Sequence, residues 1–315
     1  ICACLVGSEM CIRDRYNMIF HYLKIAFRNL CKYKTQNVIS IIGLAVGLLC
    51  FCVCIYCSRF VENTDHCFAN HDRIAELNLY DGKAGRYFSG SPVPLAEELR
   101  TWALGEAEAI SSVTYPRERP YYVELSPEKT LPYELETIEI DTCYNRIFTP
   151  EMVAGHWKMA SQSLNSVILS QSMAIKIFGN AESAIGKHMT LMRRLNTSPE
   201  STPKTGGIVY TIQAVMKDIP LNNSLDFMQN IDMLTVNDSE GLLQSPKRHN
   251  MTGANTYVLL SPQTTCTDLE KQFSKRDYTY TLYGEAYTVT ASSMGARLKK
   301  QGASYLGLVL SLIHI

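Results

Sequence analysis

The residues best equipped for chemistry in this chain fall in two short stretches. In Gly179-Asn-Ala-Glu-Ser-Ala-Ile-Gly186-Lys187, two glycines precede a lysine, a combination with which backbone amides and an ammonium group can cradle phosphates. The spacing excludes a phosphate loop. Six residues separate the glycines where four are needed, His188 stands where Ser or Thr would hold magnesium, and a helical pattern, not a strand, comes before. The stretch reads as a helix stop and a turn, with Ile185 directed inward. Asp65-His66-Cys67 and His71-Asp72 place metal-ligand residue types within eight positions. Glu62 to Tyr80 reads as a helix or turn leading into a strand, and His66 and His71 could approach one another; on a helix, however, a five-residue spacing sets them on different faces, and no third cluster completes a ligand set, so solvated surface is expected and no metal. His156 and His188 stand alone. Neither a Gly-x-Ser-x-Gly elbow nor a His-Glu-x-x-His helix occurs. Nothing here requires catalysis; a non-catalytic protein with no cofactor is the expectation.

The elements that carry these residues begin with a membrane segment. Thr35–Ser58 has no charged residue in 24 positions and is apolar from Val38 to Tyr56. At about 1.5 Å per residue it can cross a hydrocarbon core of about 30 Å, and a transmembrane helix is expected over 37–58. A signal peptide would have a shorter apolar region and a small-residue cleavage pattern, which Cys50-Phe-Cys-Val-Cys-Ile-Tyr-Cys57 does not offer. Gly43 and Gly47 have the Gly-x-x-x-Gly spacing that lets two membrane helices approach closely. Upstream, Ile19–Lys34 reads as an amphipathic helix within 18–36. Lys24, Arg28 and Lys32 line one face, and Ile19, Leu23, Phe27 and Leu30 another, as in a helix lying on a membrane surface. Lys24, Arg28, Lys32 and Lys34 before the span outweigh Arg59 after it, which puts the N-terminus in the cytoplasm and the large domain outside.

Charge is balanced, with 30 basic and 30 acidic residues, so no electrostatic argument favours nucleic acid. Met10-Cys-Ile-Arg-Asp-Arg15 and Leu310-Ser-Leu-Ile-His-Ile315 back-translate to opposite strands of one oligonucleotide that resembles a transposon adapter. Residues 1–15 and 310–315 are therefore expected to be non-native, with the native reading starting at Met18 and cut short downstream. Of 11 cysteines, Cys2, Cys4 and Cys11 lie in the adapter and Cys31, Cys50, Cys52, Cys54 and Cys57 in or beside the membrane segment; only Cys67, Cys143 and Cys266 lie in the soluble part, too few for a disulfide framework, though one optional bridge stays open.

Residues 59–302 read as an α+β domain. Strands are expected near Ile74–Leu79, Val113–Tyr115, Tyr121–Leu125, Ile138–Ile140, Ser166–Leu169, Met189–Met192, Val209–Val215, Thr256–Leu260 and Tyr278–Thr290, with Pro116, Pro120, Pro127 and Pro132 as separators. Helices are expected over Ala96–Leu104 and Gln171–Phe178, the latter stopped by Gly179-Asn180. The polar Arg193–Thr205 reads as a mobile loop.

Three blocks in order resemble the MacB/FtsX-like ABC transporter permeases with a MacB-like periplasmic core domain. They are Leu23-Lys-Ile-Ala-Phe-Arg-Asn-Leu30 with Ile39-Ser-Ile-Ile-Gly-Leu-Ala-Val-Gly47; Ser166-Val-Ile-Leu-Ser-Gln-Ser-Met-Ala-Ile-Lys-Ile-Phe-Gly179 through Ile185-Gly-Lys187; and Tyr210-Thr-Ile-Gln-Ala-Val-Met-Lys-Asp-Ile-Pro220 with Asn222-Asn-Ser224. Phe68-Ala-Asn-His-Asp-Arg-Ile74 is a weaker fourth, and 303–309 is similar to the opening of a second membrane helix. The resemblance implies a periplasmic mixed α/β domain of two subdomains, one formed by chain on either side of an inserted other. It implies a permease subunit of a bacterial inner membrane, paired with a second permease subunit and driven by a cytoplasmic ABC ATPase, that relays helix motion for export or extraction of a substrate. On that reading Lys24, Arg28 and Lys32 face headgroups or the ATPase. A membrane-anchored sensor, or a permease relative that regulates a cell-wall enzyme, stays open as an alternative.

Overall fold

The computed structural model describes residues 7–88, 90–126, 129–191, 207–226, 229–239, 241–244, 252–296 and 298–300. Met192, the segment Arg193–Thr205, Pro127, residues 303–309 and 310–315, and the side chains of Ile19 and Leu30 lie outside the described residues. The chain divides into two units between Arg59 and Phe60.

The first unit is helical. Helix α1 (Gly7–Lys32) and helix α2 (Lys34–Glu62) meet at Tyr33. The Tyr33 N–H donates to Asn29 O at 3.1 Å and the Asn37 N–H to Tyr33 O at 3.0 Å, so helical hydrogen bonding runs on through the bend. Once nucleated, a helix extends cheaply, and α2 accordingly takes in Lys34–Gln36 before the expected span and Arg59–Glu62 beyond it. Among the described residues α2 is the one helix long and apolar enough to cross a membrane. None of its residues is buried, and apolar side chains such as Ile39, Leu44, Leu49 and Phe51 stand exposed. A helix that is apolar all round and wholly uncovered needs lipid or other helices about it.

The second unit is an α+β domain in which fourteen strands are described. Six of them close into a ring: β5 (Arg117–Ser126), β6 (Lys129–Ile140), β8 (Ser166–Ser170), β9 (His188–Leu191), β10 (Ile208–Met216) and β11 (Met233–Val236). Around it the pairs run β6–β5, β5–β9, β9–β10, β10–β8, β8–β11 and β11–β6, the β10–β8 and β11–β6 pairs being parallel. Closure removes the free edges that would otherwise invite further strands. Tyr121, Val123, Leu135, Val167, Leu169, Met189, Tyr210, Ile212 and Met233 form its core with α6 (Gln171–Phe178).

The other strands make an open antiparallel sheet from chain on both sides of the ring. Its order is β4 (Ala107–Thr114), β12 (Thr252–Leu260), β1 (Ile74–Asp81), β14 (Glu285–Ser293) and β13 (Thr279–Leu282). Short strands β2 (Arg86–Phe88) and β3 (Ser91–Pro92) add to β1 and β12, and β7 (Met152–Gly155) adds to β10 of the ring. Helices α3 (Leu95–Thr101) and α7 (Cys266–Lys275) cover the open sheet, burying Leu95, Leu99, Leu269 and Phe273. The β4–β6 contact and a shared core containing Phe68, Ile138, Tyr144, Phe148, Leu234 and Tyr257 join sheet to ring. Helices α4 (Tyr144–Phe148) and α5 (Trp157–Gln162) lie beside that shared core.

Several strands differ from the sequence reading for local reasons. Strands β5 and β6 run through Pro120 and Pro132. Pro120 lies just outside the Tyr121–Val123 stretch that pairs with β9, and Pro132 outside the part of β6 that pairs with β11, so neither removes a needed donor. The expected single strand Tyr278–Thr290 is a hairpin, β13–β14. Tyr283 and Gly284 turn the chain with φ of 52° and 83°, a two-residue turn that matches the strand twist.

Candidate functional site

The chain leaves α2 through a turn over Asn63–Cys67, and there a buried carboxylate gathers three separate segments. Asp65 adopts φ 70° and is 1% exposed. Its backbone N–H donates to Asn222 O at 2.9 Å, and Asn222 Nδ2 donates back to Asn63 O at 3.0 Å. The Ser224 N–H donates to Asp65 Oδ1 at 2.6 Å and the Ser224 hydroxyl to Oδ2. The third segment follows β14. Gly295, at φ 71°, passes so close that a Cβ there would lie 2.4 Å from Asp65 Oδ2 and 2.8 Å from Ser224 Oγ. One residue earlier the Met294 N–H donates to Ile74 O at 2.9 Å, and the Met294 side chain is buried in the core. The segment after the apolar helix and the loop after β10 are thus bonded at one point, with the chain at Gly295 packed against it; we call this point the clasp.

The loop that supplies the clasp is braced by its own side chains. Asn223 is fully buried: its Nδ2 donates to Pro220 O at 2.7 Å, while Oδ1 accepts from the N–H groups of Leu225 at 2.9 Å and Asp226 at 3.0 Å. Asp218 accepts the Ser172 N–H at 3.0 Å, fixing the loop to the start of α6. Burial raises the Asp65 carboxyl above the ordinary carboxylate range, while the Ser224 bonds and the Lys299 ammonium pull it down. Removing those donors would leave a deeply buried carboxyl without partners, which costs much.

Elsewhere the polar clusters are structural. A cleft of about 450 Å³ is lined by Arg100, Glu139, Asp141 and Asp238 among others. Asp141 accepts from Arg100 Nη1 at 2.8 Å, Ser111 Oγ at 2.7 Å and the Ser112 N–H at 3.0 Å. Glu139 accepts the Leu242 and Leu243 N–H groups at 2.6 and 2.8 Å, and Tyr210 OH donates to Asp238 at 2.8 Å. Burial pushes the Glu139 carboxyl up to about 7.

The structure places the sequence-derived candidates as follows. Lys24, Arg28 and Lys32 are exposed on α1, with Phe20, Leu23 and Phe27 exposed beside them. Open space surrounds the Cβ positions of Gly43 and Gly47. The Gly179–Lys187 stretch is a helix stop and turn. Gly179 ends α6 at φ 87°, Asn180 Oδ1 accepts the Ser183 N–H at 2.8 Å, the Gly186 N–H donates to Ile212 O at 2.8 Å, and Ile185 packs on the ring core. Cys67, Cys143 and Cys266 are free thiols. His66 and His71 do approach one another: the segment is a set of turns and not a helix, and their ring centroids lie 4.3 Å apart. The clasp itself was not anticipated. The sequence shows Asp65 as a ligand type and Asn222-Asn-Ser224 as a motif; their pairing across 159 positions has no local sequence signal.

Fold and clasp together define a class: a mixed α/β domain of ring and open sheet joined directly to a helix of membrane-spanning length. A domain of a protein assigned as a permease from Porphyromonas gingivalis shares this fold. It is 22% identical with a TM-score of 0.53, and the match covers 72% of this chain and 93% of that one. The periplasmic region of MacB from Actinobacillus actinomycetemcomitans matches at 13% identity and a TM-score of 0.46, over 73% of this chain and 92% of that one. The extracellular domain of the noncanonic ABC-type transporter YknZ from Gram-positive bacteria matches at 12% identity and 0.41, over 70% and 99%. No family model matches the chain, and no curated protein matches it.

Proposed function

We propose that this chain is a non-catalytic permease subunit of an ABC transporter in a bacterial inner membrane. Its α2 is the first membrane helix, with α1 on the cytoplasmic side and the second unit in the periplasm. The clasp carries the reading. A domain that relays motion between membrane helices needs its points of attachment held against one another; Asp65 bonds the segment after α2 to the loop at Ser224, and the chain at Gly295 packs directly against that pair. A cytoplasmic ATPase supplies the motion, and a second permease subunit packs on α2, where Gly43 and Gly47 permit close approach. Lys24, Arg28 and Lys32 serve at the headgroups or at the ATPase. The cargo is exported or extracted outside the membrane.

The test is hydrogen exchange on the reconstituted permease–ATPase complex, with and without ATP and vanadate. Trapping should change exchange at 63–73 and 222–226 in the wild type, and Asp65→Ala should abolish the change while ATP hydrolysis continues. Exchange at those segments that ignores nucleotide in the wild type would overturn the proposal.

A further inference from the structure

The carboxyl groups around the cleft of about 450 Å³ are bonded within the fold, but those bonds do not use the space they enclose. The cleft opens where the open sheet meets the ring, beside the Val113–Ile140 pair of β4 and β6. Parallel strands β6 and β11 end there side by side at Ile140 and Val236, and the residues that follow, 141–143 and 237–238, form one wall. Ligand crevices in α/β sheets take the same position, outside the carboxyl ends of parallel strands. The opposite wall is α3, through Glu97 and Arg100. Along β4, Ile110, Ser112 and Thr114 share one face, and Ile110 packs in one core with Leu95 and Leu99 of α3, so Ser112 faces the cleft from its floor. Ser112 is 3% exposed, and its hydroxyl has no hydrogen-bond partner among the described residues. Native folds rarely leave such a group unmet, and here the group that meets it must enter from the cleft.

We propose that this cleft binds a primary ammonium group carried on a small organic molecule. Four carboxyl groups line it, on Glu97, Glu139, Asp141 and Asp238, against one guanidinium, that of Arg100, which donates to Asp141 at 2.8 Å. Arg119, at 3.7 Å from Asp238, adds a second positive charge and still leaves the balance negative. The field therefore favours a cation over an anion. Among the described residues no group of three His, Cys, Asp or Glu side chains could hold a metal ion. An ammonium group needs no such shell: it brings three N–H donors, suited to the Ser112 oxygen and to the carboxyl oxygens around it. The volume falls within the range of about 300–1,000 Å³ that small-molecule sites occupy. Charge and hydroxyl would select such a ligand whether or not the chain is a permease.

Titration calorimetry on the full chain in detergent tests it with spermidine for a free amine, trialanine amide for a peptide amino terminus, and N-acetyltrialanine amide, which keeps the peptide and loses the ammonium. Spermidine or trialanine amide should bind once per chain and the acetylated peptide should not; the tighter of the two amines identifies the source. Ser112→Ala should weaken that binding roughly tenfold to hundredfold, the worth of a hydrogen bond to a charged group. Its thermal midpoint without ligand should match the wild type's, because the hydroxyl has no partner to lose. Glu97→Gln, at an exposed position on α3, should also weaken binding, more at low salt than at high salt. Four results would overturn the proposal: neither amine binding at about 10 mM, beyond the range of even a millimolar site; equal binding of the acetylated peptide; wild-type affinity in Ser112→Ala; or a midpoint for that variant well below the wild type's, which would give the hydroxyl to the fold.

Discussion

Gly295→Ala probes the clasp most sharply, since it adds one methyl group at a point where there is no room. Two costs arise. Alanine at φ 71° occupies the left-handed region at a cost of about 1–2 kcal/mol. The new Cβ, 2.4 Å from Asp65 Oδ2 and 2.8 Å from Ser224 Oγ, must push these groups apart. Hydrogen bonds to a charged group are worth about 1.5–3 kcal/mol, so losing one brings the total to about 3–5 kcal/mol. For a domain of this size, about 1 kcal/mol moves the thermal midpoint by about 2–4 °C, giving an expected fall of about 6–20 °C. Differential scanning calorimetry of the full chain in detergent measures it. Ser224→Ala removes the hydroxyl bond to Asp65 Oδ2 without the steric clash and leaves the backbone bond to Oδ1, so the two changes combined should destabilise by clearly less than their sum. A fall of under about 3 °C, or strict additivity with Ser224→Ala, would show that the close approach is not a bonded clasp.

Two further predictions follow from other parts of the chain. Glu139 is held near 7 in the folded domain against an ordinary 4.5, so the folded state binds its proton more tightly than the unfolded state. Stability from this group is then greatest below about 4.5 and falls by roughly 3 kcal/mol as pH rises through 7; Glu139→Gln should flatten that slope in midpoint-against-pH curves, and an unchanged slope would count against the assignment. Neutralising Lys24, Arg28 and Lys32 together should lower ATP-coupled activity or invert a fraction of molecules in a protease-accessibility topology assay, whereas wild-type coupling and topology would remove the role given to that face.

Much of this arrangement is written locally in the chain. Helix α6 occupies the expected Gln171–Phe178, because Ser170 caps it, its side chain accepting the Met173 N–H, and Gly179 ends it at positive φ. The apolar run likewise announces α2. The capping box of Thr265 and Asp268 that starts α7 was equally legible and went unread. What local patterns cannot show is partnership at a distance. The ring closes through the parallel pair β6–β11, in which Thr137 meets Met233 and Ile140 meets Val236, and the clasp depends on Asp65 meeting Ser224 and Gly295. Proline was over-read as a strand breaker because its effect depends on whether a neighbouring strand needs the missing N–H. Between helix and turn for the segment after α2, Asp65 at φ 70° selects the turn and brings His66 and His71 together.

The central claim is that the domain belongs to an ATP-driven permease. The most direct measurement is to purify the full gene product from its native membrane and assay ATP hydrolysis. The account predicts a stoichiometric ABC ATPase subunit that co-purifies with a chain of several membrane spans, with hydrolysis that continues in Asp65→Ala. A chain with one span, no ATPase partner and a cytoplasmic signalling domain would contradict it.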